Sequence, residues 1–193
     1  MNDQPPRWAD ALLQLVLCSA DRECVSGDLL EEYRDDIVPT RGRPAADRWY
    51  VRQVWGYVWR ATWPWAVVFG GTFLMRTGYD WRVPTTDFLT RSTMTTAVGA
   101  TTLMSVGFWT SWRSGSVVAA MVIAALTSQI AAMFSVVGVT LMLAVWHDAG
   151  TMRAIAGSGG LLELYTLPFM TIIPATVVGV IGGALGSFTR RCR

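Results

Sequence analysis

The sequence predicts an all-α, polytopic membrane protein in which four transmembrane helices follow a small cytoplasmic helical segment. Hydrophobic residues make up 52% of the 193 residues. Long apolar stretches fill most of the chain after Val54, whereas eight of the fourteen acidic residues lie between Asp10 and Asp36. This contrast divides the chain into a prefix segment, residues 1–53, and a transmembrane domain, residues 54–193.

Two short helices and the start of a third are predicted in the prefix segment. Residues recur at helical spacing along one face of each of the first two helices. The first face carries Trp8, Leu12, Leu15 and Ser19, and the second carries Val25, Leu29, Tyr33 and Ile37. Pro44 favours the first turn of a third helix that runs toward the membrane. Because so small a segment buries little surface, we expect it to lean on the membrane, on the helix bundle or on a partner.

The first predicted span covers about residues 54–77 and is the least apolar of the four. Arg60 and Arg76 leave only residues 61–75 uncharged, which corresponds to about 22 Å of helix. Both side chains can extend to opposite interfaces, so a helix of this length still crosses a bilayer core about 30 Å thick. Pro64 is expected to bend the helix near its start.

The other three spans are predicted from length and composition alone. Roughly 20 apolar residues cross a bilayer, and residues 93–112, 116–146 and 161–188 meet that requirement. Glu163 is the only acidic residue inside them, and it lies near one end of the last span. Four helices joined by short connections are therefore expected, with loops at residues 78–90 and 147–160 and a tight turn at residues 113–115.

The positions of the arginines orient these helices, because cytoplasmic flanks carry an excess of basic residues. An inner amino terminus places nine arginines inside: Arg41, Arg43, Arg48, Arg52, Arg60, Arg113, Arg190, Arg191 and Arg193. The outer side then holds Arg76, Arg82, Arg91 and Arg153. Both chain termini are predicted to be cytoplasmic, and the residue 113–115 turn faces the same compartment.

The first 55 residues carry short motifs that resemble a known family. They are Pro5-Pro6-Arg7-Trp8-Ala9, Leu12-Leu13, Asp21-Arg22-Glu23, Gly27-Asp28-Leu29-Leu30-Glu31-Glu32-Tyr33 and Arg48-Trp49-Tyr50-Val51-Arg52-Gln53. This part of the chain resembles the permease prefix domain, which precedes the first membrane helix of bacterial ABC exporter permeases of the macrolide-exporter and FtsX-like type. The resemblance implies a bacterial cytoplasmic membrane as the location.

The resemblance also implies a function. FtsX-like permeases carry a large extracellular domain, whereas the loops predicted here are too short to hold one. We therefore expect a non-enzymatic accessory or regulatory partner of an ABC permease or ATPase, which acts through the prefix segment. The expected contact residues are Asp28, Leu29, Glu31, Glu32 and Tyr33.

Small residues in the fourth span predict close helix packing. The row comprises Ala175, Gly179 and Gly183, with Gly182 and Gly186 beside it. Such rows let helices approach closely, either within one bundle or between copies of the chain or with a larger permease. Gln129 in the third span is expected to bridge helices by hydrogen bonds, and Pro168 and Pro174 are expected to kink the fourth span.

An alternative function is a small oligomeric transporter or channel formed by the four helices. Threonines and a serine are frequent in the second span, at Thr93, Thr95, Thr96, Thr101, Thr102 and Ser105. With Gln129 they could line a polar path, although such hydroxyls more often bond to their own helix backbone. The scarcity of charge inside the spans argues against this alternative.

No catalytic, cofactor-binding or metal-binding constellation is predicted. His147 adjoins Asp148, but a zinc site needs three or four converging ligands, and no second histidine is present. Cys18, Cys24 and Cys192 match no metal or redox spacing. The arginines are nearly balanced by acids and spread along the membrane flanks, so nucleic-acid binding is not expected.

Overall fold

A computed structural model describes residues 4–83, 88–157 and 160–191. Helix accounts for 91% of these residues, and no strand occurs among them. The predicted all-α class is therefore confirmed. Two groups of helices form the structure, and one long helix belongs to both.

The first group, here called the N-terminal bundle, consists of short helices packed on the start of the long one. Its elements are α1 (Arg7–Val16), α2 (Arg22–Glu32), a π-helical turn (Tyr33–Ile37), α3 (Val38–Arg41) and the first turns of α4 (Arg43–Arg82). Their shared core contains Ala9, Leu13, Leu17, Leu29, Tyr33, Ile37, Ala46, Tyr50 and Val54. The stripe predicted for the second helix therefore faces this core, with Val25 partly buried beside it.

The face predicted for α1 was wrong by one position. Trp8 is 55% exposed, whereas Ala9 and Leu13 are fully buried. The buried face was predicted from the large apolar side chain of Trp8. The structure instead turns Ala9 toward α4, because its small side chain allows the two helices to lie close together. Leu17, just beyond the end of α1, completes the buried row.

Helix α4 runs for 40 residues, from Arg43 to Arg82, without interruption at residue 53. Gly42 precedes it with φ 73°, a conformation that favours glycine, and Pro44 lies in its first turn as expected. The predicted third prefix helix and first span are thus one continuous element, and it extends beyond Gly78 into what was predicted to be a loop. At 1.5 Å per residue it is about 60 Å long.

The second group, the long-helix bundle, is an up-down-up-down arrangement. Helix α4 is followed by α5 (Phe88–Ser114), α6 (Val117–Val145), α7 (Ala149–Gly157), α8 (Gly160–Met170) and α9 (Ile172–Arg191). Helix α6 is central and contacts α4, α5, α8 and α9, and α5 also packs on α9. The loop predicted at residues 147–160 contains the short helix α7, whose Ile155 is buried against Trp81 and Val139.

The α-helix is interrupted at the single residue Thr171, between α8 and α9, in the region where a kink was predicted. Pro174 has no N–H to donate to the carbonyl of Met170, and its ring crowds that carbonyl. The last α-helical residue before the break is Met170, as this geometry requires. The helix resumes at Ile172, and the N–H of Ala175 donates to the carbonyl of Thr171 at 2.9 Å.

Two segments of the described chain are long and apolar enough to cross a membrane. They are α6, Val117–Val145, and the combined α8 and α9, Gly160–Arg190. Helices α4 and α5 are also long, but arginines interrupt the first and hydroxyl-bearing residues lower the hydropathy of the second.

Candidate functional site where the two bundles meet

The loop between α1 and α2 is hydrogen-bonded to one end of the long-helix bundle. The N–H of Ser19 donates to the carbonyl of Arg113 at 3.5 Å. The Arg22 guanidinium donates to the carbonyl of Ser114, also at 3.5 Å, and that of Arg190 donates to Oγ of Ser19 at 2.9 Å. These contacts, here called the junction, tie the N-terminal bundle to α5 and α9.

The sequence produces the acceptors of the junction by ending α5 abruptly. Gly115, with φ 74°, turns the chain, and the Ser116 side chain caps α6 by accepting from the N–H of Ala119 at 3.2 Å. The last carbonyls of a helix lack partners within it and form the negative end of its dipole. The Arg22 cation and the Ser19 N–H are suitable donors for them.

A pocket of about 430 Å³ lies beside the junction. Val16 and Leu17 of the N-terminal bundle form one wall, and aromatic residues of α4 and α5, Trp65 and Trp109, form the others. Its charged groups are Asp21, Arg60 and Arg113. The pocket therefore combines apolar walls with a net positive charge.

The predicted partner-contact residues divide into two sets. Asp28, Glu31 and Glu32 are exposed on α2 and can meet another molecule. Leu29 is only 9% exposed and Tyr33 is fully buried, because both belong to the core of the N-terminal bundle. The available contact surface is thus an acidic face without the apolar and aromatic members expected from the sequence.

Tyrosine–carboxylate hydrogen bonds join the elements of the N-terminal bundle that carries this acidic face. Tyr33 donates to Asp47 at 2.6 Å, and Tyr50 donates to Asp10 at 3.1 Å. The two tyrosine rings meet edge to face with their centroids 5.8 Å apart. Burial raises the pKa of the Tyr50 phenol, and the nearby Asp10 charge and hydrogen bond raise this pKa further.

The predicted helix-packing residues lie at contacts within the long-helix bundle. A Cβ at Gly182 or Gly186 would overlap the backbone of α5 at Met104 or Phe108. A Cβ at Gly179 or Gly183 would overlap the side chains of Ala124 or Ala120 on α6. Ala175, in the same row, is fully buried. The small residues of α9 thus let α5 and α6 approach it, and this row is covered inside the chain.

Gln129 bridges helices at the break between α8 and α9. Its Nε2 donates to the carbonyl of Phe169 at 3.4 Å, and the neighbouring Ser128 and Thr171 hydroxyls are 2.7 Å apart. Thr171 also donates to the carbonyl of Pro168 at 2.6 Å. Side chains from α6 and from the break itself therefore satisfy carbonyls that a broken helix leaves without partners.

Several hydroxyls of α5 bond to their own helix. Thr101 and Thr102 donate to the carbonyls of Ala97 and Val98, each at 2.8 Å, and Ser105 donates to the carbonyl of Thr101 at the same distance. These bonds occupy three of the six hydroxyl donors that were considered for a polar path.

Asp148 has a structural role that the sequence did not indicate. Its carboxylate accepts from the Thr151 hydroxyl at 2.7 Å and from the N–H groups of Gly150 and Thr151 at the start of α7. The hydrogen bond from the Thr151 side chain is the main cause of a lowered pKa of Asp148. The residue thus caps α7, and the adjacent His147 is exposed.

The described part of the chain contains no group of three or more His, Cys, Asp or Glu residues able to hold a metal ion. The side chain of Glu163 and residue Cys192 lie outside the described part.

The junction itself was missed by sequence reasoning. Its partners are 92 residues apart for Arg22 and Ser114 and 171 apart for Arg190 and Ser19, so no local pattern could pair them. The available signal was the excess of arginine at those ends of the predicted spans that were expected to face the cytoplasm. Comparison of the chain with family models, curated proteins and solved structures gave no match.

Proposed function

We propose that this chain is a multi-pass protein of the bacterial cytoplasmic membrane, with four spans and with both termini in the cytoplasm. The apolar surface of the long-helix bundle supports this location. Met75, Leu162 and Ile173 are 78%, 78% and 73% exposed, and further large apolar side chains surround the bundle. Large apolar side chains exposed in this number are unusual for a soluble protein, whereas lipid tails would cover them favourably.

Within that membrane, we propose a non-enzymatic accessory or regulatory role in an ABC-type exporter system. The N-terminal bundle would bind an ABC permease or ATPase through the exposed carboxylates of Asp28, Glu31 and Glu32. Because the loops proposed between the spans are short, we assign the partner contact to the exposed charged residues of this bundle.

The observation that carries this proposal is the physical connection between the acidic face and the long helices. The N-terminal bundle shares α4 with the long-helix bundle and is also tied to it through Arg22 and Arg190. A partner that moves α2 would therefore move the ends of α5 and α9. A flexible linker would transmit no such movement.

The test is co-purification of a carboxy-terminally tagged full chain after extraction in a mild detergent. We expect an ABC ATPase or permease to be identified by mass spectrometry. Its yield should fall about tenfold in the variant Asp28→Asn/Glu31→Gln/Glu32→Gln, because charge complementarity at an interface controls both association and partner choice. The matched control, Glu23→Gln/Asp35→Asn/Asp36→Asn, removes the same charge from other exposed positions.

Two results would contradict the accessory role. One is the isolation of the chain without any ABC component. The other is an equal loss of the ABC component from both triple variants, which would show a general charge effect in place of a specific surface.

A small oligomeric transporter or channel is the second candidate. It is favoured by Ser111 and Thr127, whose hydroxyls are fully buried in the long-helix bundle and have no hydrogen-bond partner among the described residues. Buried hydroxyls of this kind can contact a permeating molecule. Reconstituted wild-type protein should then transport a solute or conduct an ion, and Thr127→Val should reduce the rate. Vesicles that remain impermeable would reject this candidate.

A further inference from the structure

The junction pocket combines features that suit an amphipathic anion. Its volume of about 430 Å³ lies within the usual range of ligand pockets, roughly 300 to 1,000 Å³. Trp65, Trp109 and Ile123 supply apolar walls, and Arg60 and Arg113 supply cations. A ligand that filled it would need an apolar body and a negatively charged group.

The two arginines of the pocket differ from those of the junction. Arg22 and Arg190 are engaged in holding the bundles together. Arg60 and Arg113 are exposed, and neither forms an ion pair with any residue in the described parts of the chain. Asp21 also lines the pocket, but its carboxylate already accepts from the Cys18 thiol at 2.9 Å. With one carboxylate against two guanidinium groups, the pocket keeps a net positive charge.

The position of the pocket suits a lipid headgroup, an argument that rests on the membrane location proposed above. Arg60 is the last charged residue before the uncharged residues 61–75, and Arg113 lies one residue from the end of α5. The rings of Trp59, Trp63 and Trp109 are exposed near this level. Tryptophan collects where hydrocarbon meets headgroups, so the pocket opens at the depth of lipid phosphates.

We propose that the junction pocket binds the phosphate headgroup of an anionic phospholipid. Arg60 and Arg113 contact the phosphate, and Trp65 and Trp109 pack against the glycerol and the first acyl carbons. Basic pockets between membrane helices on the cytoplasmic side are known to suit anionic headgroups. Because Val16 and Leu17 form the opposite wall, the lipid also contacts the N-terminal bundle and stabilises its docking on the long helices.

The test measures lipid adducts of the detergent-purified full chain by native mass spectrometry. The probes are dioleoyl phosphatidylglycerol, dioleoyl phosphatidylcholine and inorganic phosphate, each at matched concentration. We expect phosphatidylglycerol to bind best, and we expect its apparent dissociation constant to rise at least about tenfold in Arg60→Gln/Arg113→Gln. The control, Arg52→Gln/Arg153→Gln, removes the same charge from exposed positions outside the pocket and should bind like the wild type.

Three outcomes would overturn the proposal. They are equal weakening in both double variants, equal binding of the two lipids, and arginine-dependent binding of inorganic phosphate with no preference for lipid. If the double variant does not fold, the single substitution Arg113→Gln, at an exposed position, provides the same comparison.

Failure of the membrane location would give a different result. A chain outside the membrane would be released from the particulate fraction by an alkaline carbonate wash. A membrane chain without this lipid site would stay in the pellet.

Discussion

Two buried tyrosines connect three elements of the N-terminal bundle through carboxylates. Tyr33 in the π-helical turn reaches Asp47 on α4, and Tyr50 on α4 reaches Asp10 on α1. A hydrogen bond to a charged group contributes about 1.5 to 3 kcal/mol, more than a neutral one. Since these acceptors are carboxylates, the bundle depends on a few specific side-chain pairs in addition to its apolar core.

Removal of the Tyr50 hydroxyl should reveal a pH dependence. The pKa of this phenol is raised in the folded protein, so the folded state holds its proton more tightly than the unfolded state does. The corresponding stability is complete below about pH 10, the ordinary tyrosine pKa, and is lost as the pH rises above it. Tyr50→Phe should lower the free energy of unfolding by about 1 to 2 kcal/mol at pH 7. The variant should also lose less of its stability than the wild type as the pH rises above about 10.

Unfolding followed at pH 7 and at about pH 10.5 measures both effects. The sequence contains no lysine and only five tyrosines and three cysteines, so few other groups titrate in this range. Asp10→Asn removes the charge but leaves a hydrogen-bond acceptor. Its loss of stability at alkaline pH should therefore lie between that of the wild type and that of Tyr50→Phe. An identical pH profile for wild type and Tyr50→Phe would refute the assignment.

Single residues were predictable where their role follows helical periodicity. Leu29, Tyr33 and Ile37 repeat every four residues and were placed on one face correctly. The partners of the tyrosines were not predicted, because Asp10 and Tyr50 are 40 residues apart and come together only when α1 packs on α4. Periodicity identifies a buried face but gives no information on which other element covers it.

At the scale of elements, α9 is shaped by proline at its start and glycine along its length. Pro174 separates it from α8, and the carbonyls of Pro168 and Phe169 at the break accept from Thr171 and from Gln129 of α6. Beyond the break, Gly182 and Gly186 bring α9 against the backbone of α5. The glycines thus determine how closely α9 packs, and the proline determines where it begins.

Gly182→Ala should separate α9 from α5. The new Cβ would overlap the carbonyl of Met104 and approach the N–H of Phe108, and neither backbone group can move alone. We expect a loss of about 1 to 3 kcal/mol, measured by thermal unfolding in detergent. The control is Gly71→Ala in α4, where no atom lies within 4 Å and the gain in helix propensity should leave stability equal or slightly higher. Equal unfolding temperatures for the two variants would contradict this packing.

Most helices were predictable from composition, whereas some of their ends were not. The break near Thr171 follows directly from proline chemistry and was expected. Helix α7 was missed because its nine residues, Ala149–Gly157, carry alanine and glycine in place of an obvious apolar stripe. It depends on its cap at Asp148 and on the packing of Ile155 against α4 and α6.

At the scale of the whole molecule, the proposed orientation can be tested with cysteines. Cys24 is exposed on α2 and should react with a membrane-impermeant maleimide only in inside-out vesicles. In a chain whose three cysteines are replaced by serine, Met152→Cys on α7 should react only in right-side-out vesicles, since Met152 is 41% exposed at the other end of the bundle. The reverse labelling pattern would show that the chain has the opposite orientation. Equal labelling in both preparations would argue against a membrane-spanning arrangement.

The overall architecture was predictable only in outline. Apolar stretches indicated how many long helices follow the prefix, but residue 53 was taken as a boundary because the composition changes there. The structure continues α4 through that position, since charged and apolar stretches are both compatible with helical backbone. The junction and its pocket depend on contacts between distant parts of the chain, which composition does not report.

The continuity of α4 has a consequence for how this chain can change in length. Adding one residue to a helix turns everything before it by about 100° relative to everything after it. Between Trp59 and Arg60, such an insertion would rotate Tyr50 and the rest of the N-terminal bundle away from Arg113 and Arg190, although every helix could still form. Seven added residues complete nearly two full turns and restore the facing within about 20°. They also lengthen α4 by about 10 Å, which carries the N-terminal bundle along the helix axis and out of reach of Arg113 and Arg190. Insertions at this position should therefore break the junction, short ones by rotation and those of whole turns by translation.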